Sequence, residues 1–203
     1  MARPRTASDE DVFAAAFRVM QVAPPSGFTL QAVAREAGIT AGALVQRFGS
    51  KRDLQIALAK GSRESTTAFL ESLHSKSDDP LAALRHYADC MASLAASPAA
   101  IVRNFAYLQE DLSDPALRAE LKRQGLATRH VLESLIRSAV QRGDLQARAN
   151  PPRIARAIEA GVGGALLSWA IYRDGTAKAW LRAHLAAVVD PWRTPSRQGR
   201  PGS

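Results

Sequence analysis

Apolar side chains recur at helical spacing near the start of the chain. Val12, Phe13, Ala16, Phe17 and Met20 follow one another at intervals of one or three positions, a pattern that places side chains on one face of an α-helix. No alternating strand pattern and no Asn-Gly hairpin signal competes with helical spacing elsewhere. The pattern therefore predicts an all-α fold.

Residues 29–54 contain two short predicted helices joined by a glycine. The first has Val33 and Ala34 on its apolar face. Gly38 ends it, because glycine accepts the left-handed conformation that a sharp exit requires. Thr40 then caps the second helix by accepting a hydrogen bond from an exposed backbone N–H. Two such helices form a helix-turn-helix, whose second helix is narrow enough to enter the major groove of DNA.

This stretch resembles the DNA-binding region of the tetracycline-repressor (TetR) family. The matching residues are Val33, Ala34, Ala37-Gly38-Ile39, Leu44, Phe48, Ser50-Lys51 and Leu54. The similarity covers residues 10–60, and beyond them only size and helical layout agree. It implies an N-terminal three-helix helix-turn-helix DNA-binding domain, residues 1–52, followed by a larger helical ligand-binding and dimerisation domain, residues 53–190. The Pro-, Gly- and Arg-rich segment 191–203 is expected to be a disordered tail.

A repeated start signal divides the second half of the chain. It consists of a capping side chain before a proline suited to the first helical turn. The four copies are Asp79-Pro80, Ser97-Pro98, Asp114-Pro115 and Asn150-Pro151. They predict helices over residues 79–96, 98–112, 115–142 and 151–173, with a last helix over 176–189.

Eight residues are expected to contact DNA. Gln46 suits a paired contact with adenine and Arg47 one with guanine, while Lys51, in the first turn of the next helix, suits a phosphate. The other candidates are Gln31, Thr40, Ala41, Gly42 and Val45. The alternative is that the polar members form only a solvated surface. Their position within the motif favours DNA contact.

One candidate departs from the family pattern. The resemblance implies an aromatic residue, most often tyrosine, at the position of Val45, where it helps to contact the DNA backbone. Valine cannot donate that hydrogen bond. This keeps open an alternative function, a helical small-molecule-binding protein whose DNA recognition has degenerated. Arg3 and Arg5 fit either a minor-groove arm or an ordinary solubilising terminus.

A single helix-turn-helix touches too few base pairs for specificity over a genome. A homodimer on a palindromic double-stranded operator solves this. Apolar stripes on the last two predicted helices suit a four-helix bundle with a second copy, as in the family. Their candidate interface residues are Ile158, Val162, Leu166, Leu181 and Leu185. The alternative is that both stripes serve the internal core.

The resemblance also implies an effector pocket within residues 79–173. Its apolar side chains favour a small, largely apolar effector. The candidate lining residues are Tyr87, Met91, Asn104, Phe105 and Trp169, and further polar candidates are His86, Tyr107 and His130. For each polar residue taken alone, ordinary packing or exposure is the stronger alternative.

Composition fits a DNA-binding regulator. The 203 residues are 46% hydrophobic and 23% charged, and the net charge of +8 favours a polyanionic partner. Cys90 is the single cysteine, which excludes an internal disulfide and suits the cytoplasm. It is expected to be either a thiol sensor or an inert core residue. No membrane association is expected, because the longest apolar stretch is too short to span a bilayer.

The sequence predicts a regulator and not an enzyme. It contains none of the common catalytic or phosphate-binding motifs. The four histidines are scattered without the spacing of a metal pair, so neither a metal nor a cofactor is expected. Together, these observations predict a one-component transcriptional regulator, a repressor relieved by its effector.

Overall fold

The structure, a computed structural model, describes residues 7–76 and 78–195, and for residues 74–76 it describes the backbone alone. Its helices are α1 (Asp9–Val22), α2 (Leu30–Ala37), α3 (Ala41–Phe48), α4 (Lys51–Lys76), α5 (Pro80–Ser93), α6 (Pro98–Ser113), α7 (Pro115–Gln141), α8 (Pro151–Tyr172) and α9 (Ala177–Val189). Short 3₁₀ turns occupy Pro25–Gly27 and Asp190–Trp192. The predicted all-α class is confirmed.

The predicted start signals act as helix caps. The side chains of Asp79, Ser97 and Asn150 each accept a hydrogen bond from a backbone N–H two or three residues ahead, at 2.8 to 3.1 Å. Asp114 does the same for α7, accepting from the Ala116 N–H at 2.8 Å. Each cap satisfies an N–H that the helix leaves unpaired, and this is why the predicted and observed helices begin within a residue of one another.

The first compact unit comprises the residues through Ala68 and Ala95–Gly125. Here α1 packs on α2 and α2 on α3, and α6 contacts α1. The fully buried side chains at its centre include Val12, Phe28, Val33, Leu44 and Leu54. Burial of each large apolar side chain contributes about 1.5–3 kcal/mol, so this core fixes the short helices α2 and α3, which would be unstable alone.

The second compact unit comprises Phe69–Leu94 and the residues from Leu126 onward. In it α9 packs against both α5 and α8. Glycine at position 161 of α8 leaves room for the His184 ring of α9, because a Cβ atom there would lie 1.9 Å from that ring as it is placed. On the other side, Asp89 of α5 accepts two hydrogen bonds of 2.7 Å from Arg182 of α9 and pairs with Lys178 at 3.0 Å.

The prediction of a disordered tail from residue 191 is wrong for residues 191–195. The Gln146 N–H donates to the Trp192 carbonyl at 2.8 Å, and the Thr194 N–H donates to the Asp144 carbonyl at 3.1 Å. These bonds hold the chain against the turn after α7. The rest of the predicted tail, together with Arg3 and Arg5, lies outside the described residues.

The compact units do not follow the boundary expected at residue 52. Helix α4 runs from Lys51 to Lys76 and contributes to both units. The first unit also contains α6 and the start of α7, which the prediction placed in the effector domain. The division into residues 1–52 and 53–190 therefore describes functions and stays a prediction.

Helix α8 is long and apolar enough to cross a membrane by length and composition. In the second unit it packs on α9 and buries Ile154, Ala155, Ile158 and Trp169. A core helix of a soluble protein meets the same criteria, so the helix is weak evidence for a membrane segment.

Candidate nucleic-acid interface

The turn between α2 and α3 contains the left-handed glycine that the sequence predicts. The Thr29 hydroxyl oxygen accepts a hydrogen bond of 3.0 Å from the Ala32 N–H and caps α2. Gly38 ends α2 in the left-handed conformation, with φ of 69°. The Ile39 N–H then donates to the Ala34 carbonyl at 3.0 Å. This bond closes the end of α2, and α3 begins at Ala41.

Helix α3 is anchored on one face and open on the other. The Thr40 hydroxyl oxygen accepts from the Ala43 N–H at 3.1 Å and caps the helix. Leu44 is fully buried in the core, and Phe48 is partly buried against it. The remaining positions, Gly42, Ala43, Val45, Gln46 and Arg47, are exposed. Only one face of α3 is used for packing, so the other is available to a partner.

Six of the eight residues predicted to contact DNA are exposed, namely Gln31, Thr40, Gly42, Val45, Gln46 and Arg47. Ala41 is partly buried against the core, where it packs and offers little contact surface. Within the described part of the chain, the Gln46 amide has no hydrogen-bond partner, so it is free to bond a base edge. The Val45 side chain is 49% exposed, an apolar group in the middle of this surface.

Arg47 is not free in this structure, in contrast to the expectation that it faces a guanine. Its guanidinium donates to the Ala7 carbonyl at 2.6 Å and pairs with Asp9 at the start of α1. It also lies 5.6 Å from the centre of the Phe48 ring. The acidic first turn of α1 attracts the guanidinium, and DNA contact requires Arg47 to exchange this pair for a base or phosphate.

Lys51 is also engaged within the protein, in contrast to the expected phosphate contact. Its ammonium donates to the Pro25 carbonyl at 2.9 Å and lies 5.8 Å from the centre of the Phe28 ring. The half-buried lysine therefore fastens the connection between α1 and α2 to the start of α4. The Pro25 carbonyl also accepts a hydrogen bond of 3.2 Å from the Phe28 N–H, so the ammonium group is its second donor.

Tyr107 has a structural role that the sequence did not indicate, since its sequence context suggested only a polar candidate for effector binding. Tyr107 is 3% exposed in the core of the first unit. Its ring meets Phe28 edge to face at 6.2 Å, and its hydroxyl donates to the Ala23 carbonyl at 3.0 Å. Burial, together with Glu110, raises the pKa of Tyr107 to about 12. The role depends on a contact with Ala23, 84 positions away, which local sequence does not encode.

The predicted effector residues fall in different units. Asn104 and Phe105 lie in the first unit, whereas Tyr87, Met91 and Trp169 lie in the second. Tyr87 and Trp169 are buried, and Asn104 is exposed. Burial raises the pKa of Tyr87 to about 12, and the Trp169 N–H donates to the Gly175 carbonyl at 3.4 Å. Their assignment to one pocket stays a prediction.

Three of the predicted dimer residues are buried within the chain itself, and their role as interface contacts stays a prediction. Ile158, Leu181 and Leu185 are 1%, 1% and 6% exposed, respectively, because α8 and α9 pack on each other through them. Val162 and Leu166 are partly exposed. Their burial favours the alternative, that both stripes serve the internal core.

The one cysteine, Cys90, is partly buried, and its sulfur lies 3.7 Å from the His86 Nε2. Burial, with a contribution from Asp89, raises the pKa of the Cys90 thiol. A raised pKa disfavours the reactive thiolate. Among the described residues, no group of three or more metal-binding side chains is present.

A capped recognition helix, open on one face and joined to its neighbour by a glycine turn, defines a helix-turn-helix DNA-binding protein. Residues 12–58 match the family model of bacterial regulatory proteins of the tetR family, and residues 105–193 match that of the tetracyclin repressor-like C-terminal domain. The two matches together span more than half of the chain, and the chain belongs to the TetR family of transcriptional regulators. Proteins of this family are regulators rather than enzymes.

Solved structures share the fold over nearly the full length. A TetR transcription regulator from Haloarcula marismortui is 17% identical with a TM-score of 0.78, covering 92% of this chain and 98% of its own. SmeT, the repressor of the Stenotrophomonas maltophilia efflux pump SmeDEF, is 20% identical with a TM-score of 0.71, covering 98% and 96%. Thermus thermophilus FadR, in complex with lauroyl-CoA, is 17% identical with a TM-score of 0.60, covering 96% and 100%. At these identities the similarity establishes the fold alone. No curated protein matches the chain.

Proposed function

We propose that this chain is a homodimeric one-component repressor in the cytoplasm, which binds a palindromic operator and releases it when a small, largely apolar effector binds. The observation that carries the proposal is the exposed face of α3. On this face the Gln46 amide is free, and the start of the helix is capped by Thr40. The opposite face of α3 packs on the core.

The proposed DNA contacts fall into two groups. Gln46 contacts a base directly, while Thr40, whose oxygen is used as a cap, donates its hydroxyl hydrogen to a phosphate. Arg47 and Lys51 join only after they exchange their internal partners, Asp9 and Pro25, for DNA. Gln31, in the first turn of α2, supplies a further contact. The release of counterions from DNA favours the transfer of both cations to phosphates.

The proposed dimer uses the exposed side of α8. Leu167 and Ile171 are 40% and 65% exposed, and the Cβ positions of Gly163 and Gly164 are open. A run of exposed apolar and small residues on one long helix is typical of an interface between helices. Val162 and Leu166 lie at its edge, and a second copy of α8 supplies the apolar partner.

Repression and effector release are supported by the fold. SmeT is a repressor of an efflux pump, and two FadR structures contain lauroyl-CoA and stearoyl-CoA. The fold therefore accommodates ligands with long apolar parts in other proteins. An effector releases DNA only if it binds the DNA-incompetent state more tightly.

The second candidate is a helical small-molecule-binding protein without specific DNA recognition. Two observations favour it: Val45 lies exposed where a polar or aromatic contact is expected, and Arg47 and Lys51 have internal partners. Such a protein would bind DNA weakly, without sequence preference, and with strong dependence on salt.

A DNA-binding titration separates the two candidates. Fluorescence anisotropy with the region upstream of the protein's own gene, against scrambled DNA of equal length, should show preferential binding. Gln46→Ala should weaken specific binding by about 1–3 kcal/mol, because one paired base contact is lost. Gln109→Ala, at an exposed position of α6, is the matched control and should bind as the wild type does. Equal binding to both DNAs supports the second candidate and contradicts the first.

A further inference from the structure

A cavity in the first unit lies outside the helix-turn-helix surface and is not used by the proposed function. Its volume is about 130 Å³, roughly the volume that holds one benzene ring. Helices α1, α4, α6 and α7 all contribute to its wall. The lining residues are Phe17, Met20, Gln55, Leu58, Ala59, Ser62, Asp111, Glu120, Leu121 and Gln124.

The two carboxylates of the cavity differ in their partners. Glu120 is buried and is neutralised by Arg63, at 3.2 Å, and by Arg123. Asp111 is partly buried, and within the described part of the chain it has neither a hydrogen bond nor an ion pair. Burial, together with the carboxylates of Glu110 and Asp114, raises the pKa of Asp111. The site therefore contains an unneutralised negative group that a cation would stabilise.

The rest of the wall suits an apolar body. Phe17, Met20, Leu58 and Leu121 supply apolar surface, and Phe17 is 41% exposed. An exposed aromatic face beside a carboxylate favours a cation by two separate contacts, the ion pair and the cation–π interaction. A neutral or anionic ligand would gain neither.

We propose that this cavity binds a monocationic amphiphile, an ammonium group on a single aromatic ring or short alkyl body, with Asp111 as its counter-ion. The ring lies among Met20, Leu58 and Leu121, and the ammonium faces Asp111. The polar side chains of Gln55 and Gln124 flank the site. The proposal is independent of the proposed function, because it requires neither DNA binding nor a dimer.

The position of the site matters because it touches the supports of the helix-turn-helix. Phe17 and Met20 belong to α1, which seals the core over α2, and Gln55 and Leu58 belong to the first turns of α4. A bound ligand therefore contacts both of these helices at once.

A ligand titration followed by NMR tests the proposal. The ¹⁵N-labelled full chain is titrated with 2-phenylethylammonium chloride and, separately, with the neutral 2-phenylethanol, which has the same ring and chain length. We expect saturable shifts of the Gln55 and Gln124 side-chain amides with the ammonium and affinity at least about tenfold weaker for the alcohol. This comparison uses the wild type alone, so it does not depend on the folding of a variant.

Variants locate the counter-ion. Asp111→Asn should weaken binding of the ammonium by about tenfold, whereas Asp111→Glu should retain most of it. The control is Glu110→Gln, which removes the same charge from the exposed neighbouring position outside the cavity, and it should bind as the wild type does. The proposal is overturned by any of three results: no saturable shifts, equal affinity for the alcohol, or undiminished binding by a folded Asp111→Asn protein.

Discussion

At the turn of the helix-turn-helix, Gly38 has φ of 69°, while a Cβ atom added to it would meet nothing within 4 Å. Glycine is therefore required there by the backbone and not by crowding. We expect Gly38→Ala to lower the free energy of unfolding by about 1 kcal/mol, the cost of a left-handed alanine. Chemical denaturation of the wild type and the variant measures this difference in the free energy of unfolding.

The control for this substitution is Gly42→Ala in the first turn of α3. There the added Cβ would make an ordinary contact of 3.9 Å with the Thr40 oxygen, and the backbone is helical. Alanine should be neutral or stabilising at that position. Equal destabilisation by both substitutions would show that the turn conformation is not the reason for glycine at position 38.

The ion pair between Arg47 and Asp9 gives a second prediction about single residues. If Asp9 holds the guanidinium away from DNA, Asp9→Asn should tighten operator binding by about threefold, the effect of an exposed ion pair. Glu10→Gln removes the same charge from the same exposed helical turn and controls for general electrostatics. In an Arg47→Ala background the advantage of Asp9→Asn over Glu10→Gln should vanish, as measured by anisotropy in a double-mutant cycle.

At the scale of helices, Tyr107 joins α6 to the end of α1. Its hydroxyl satisfies the Ala23 carbonyl where α1 has ended. Tyr107→Phe should lower the free energy of unfolding by about 1 kcal/mol, because the carbonyl loses its partner. Tyr172→Phe, at a position 69% exposed, should have no measurable effect. A Tyr107→Phe protein as stable as the wild type would show that this hydrogen bond does not stabilise the position of α6.

The difference between Tyr107 and the helix caps shows what sequence can and cannot predict. The Asp79, Ser97 and Asn150 caps bond to backbone groups two or three residues away, so local sequence contains the whole interaction. The Tyr107 bond spans 84 positions and the Arg47 bond to Ala7 spans 40. Spacing along the chain contains no information about such partners.

Apolar stripes pose a related difficulty. Periodicity identified the faces of α8 and α9 that are buried, but not the surface that covers them. Ile158 and Leu181 are covered by their own chain, although a second chain would give the same pattern. Exposed residues of α8 such as Leu167 become visible only when the internal packing is known.

The pairing of α5 with α9 predicts a dependence on pH. Hydrogen bonds from Arg182, and the nearby Lys178, lower the pKa of Asp89 to about 2 from its ordinary 3.8. Because the folded-state pKa is depressed, this stabilisation is complete above the ordinary pKa and is lost as the pH falls towards 2. Asp89→Asn should cost about 1 kcal/mol at pH 7.

The stability difference between the wild type and Asp89→Asn should therefore be constant above about pH 5 and shrink below about pH 4. Denaturation at a series of pH values measures this. Asp174→Asn, at an exposed position in the same unit, should show no such convergence. A difference that persists unchanged to pH 2 would mean that the variant perturbs packing and not the ion pairs.

At the scale of the whole molecule, the exposed side of α8 is the feature that a single chain leaves unexplained. Only 22% of its most apolar 18-residue window is buried, so much apolar surface faces solvent. Two-fold symmetry allows such a surface to cover itself, since the same residues meet across the axis. A second copy would also bring two recognition helices to one operator, which a single short helix needs for specificity.

The substitution Leu167→Glu tests whether the exposed side of α8 forms the dimer interface. A carboxylate at the centre of a symmetric apolar contact faces its own copy and loses water, so both repulsion and desolvation oppose association. We expect the wild type to sediment as a dimer at micromolar concentration and the variant as a folded monomer with reduced operator affinity. Leu94→Glu makes the same change in the same unit at a more exposed leucine, 66% against 40%, and should remain dimeric. Both substitutions remove one exposed leucine and add one charge. A difference in oligomeric state between the two variants would therefore indicate a specific contact on α8. A dimeric Leu167→Glu protein would place the interface elsewhere.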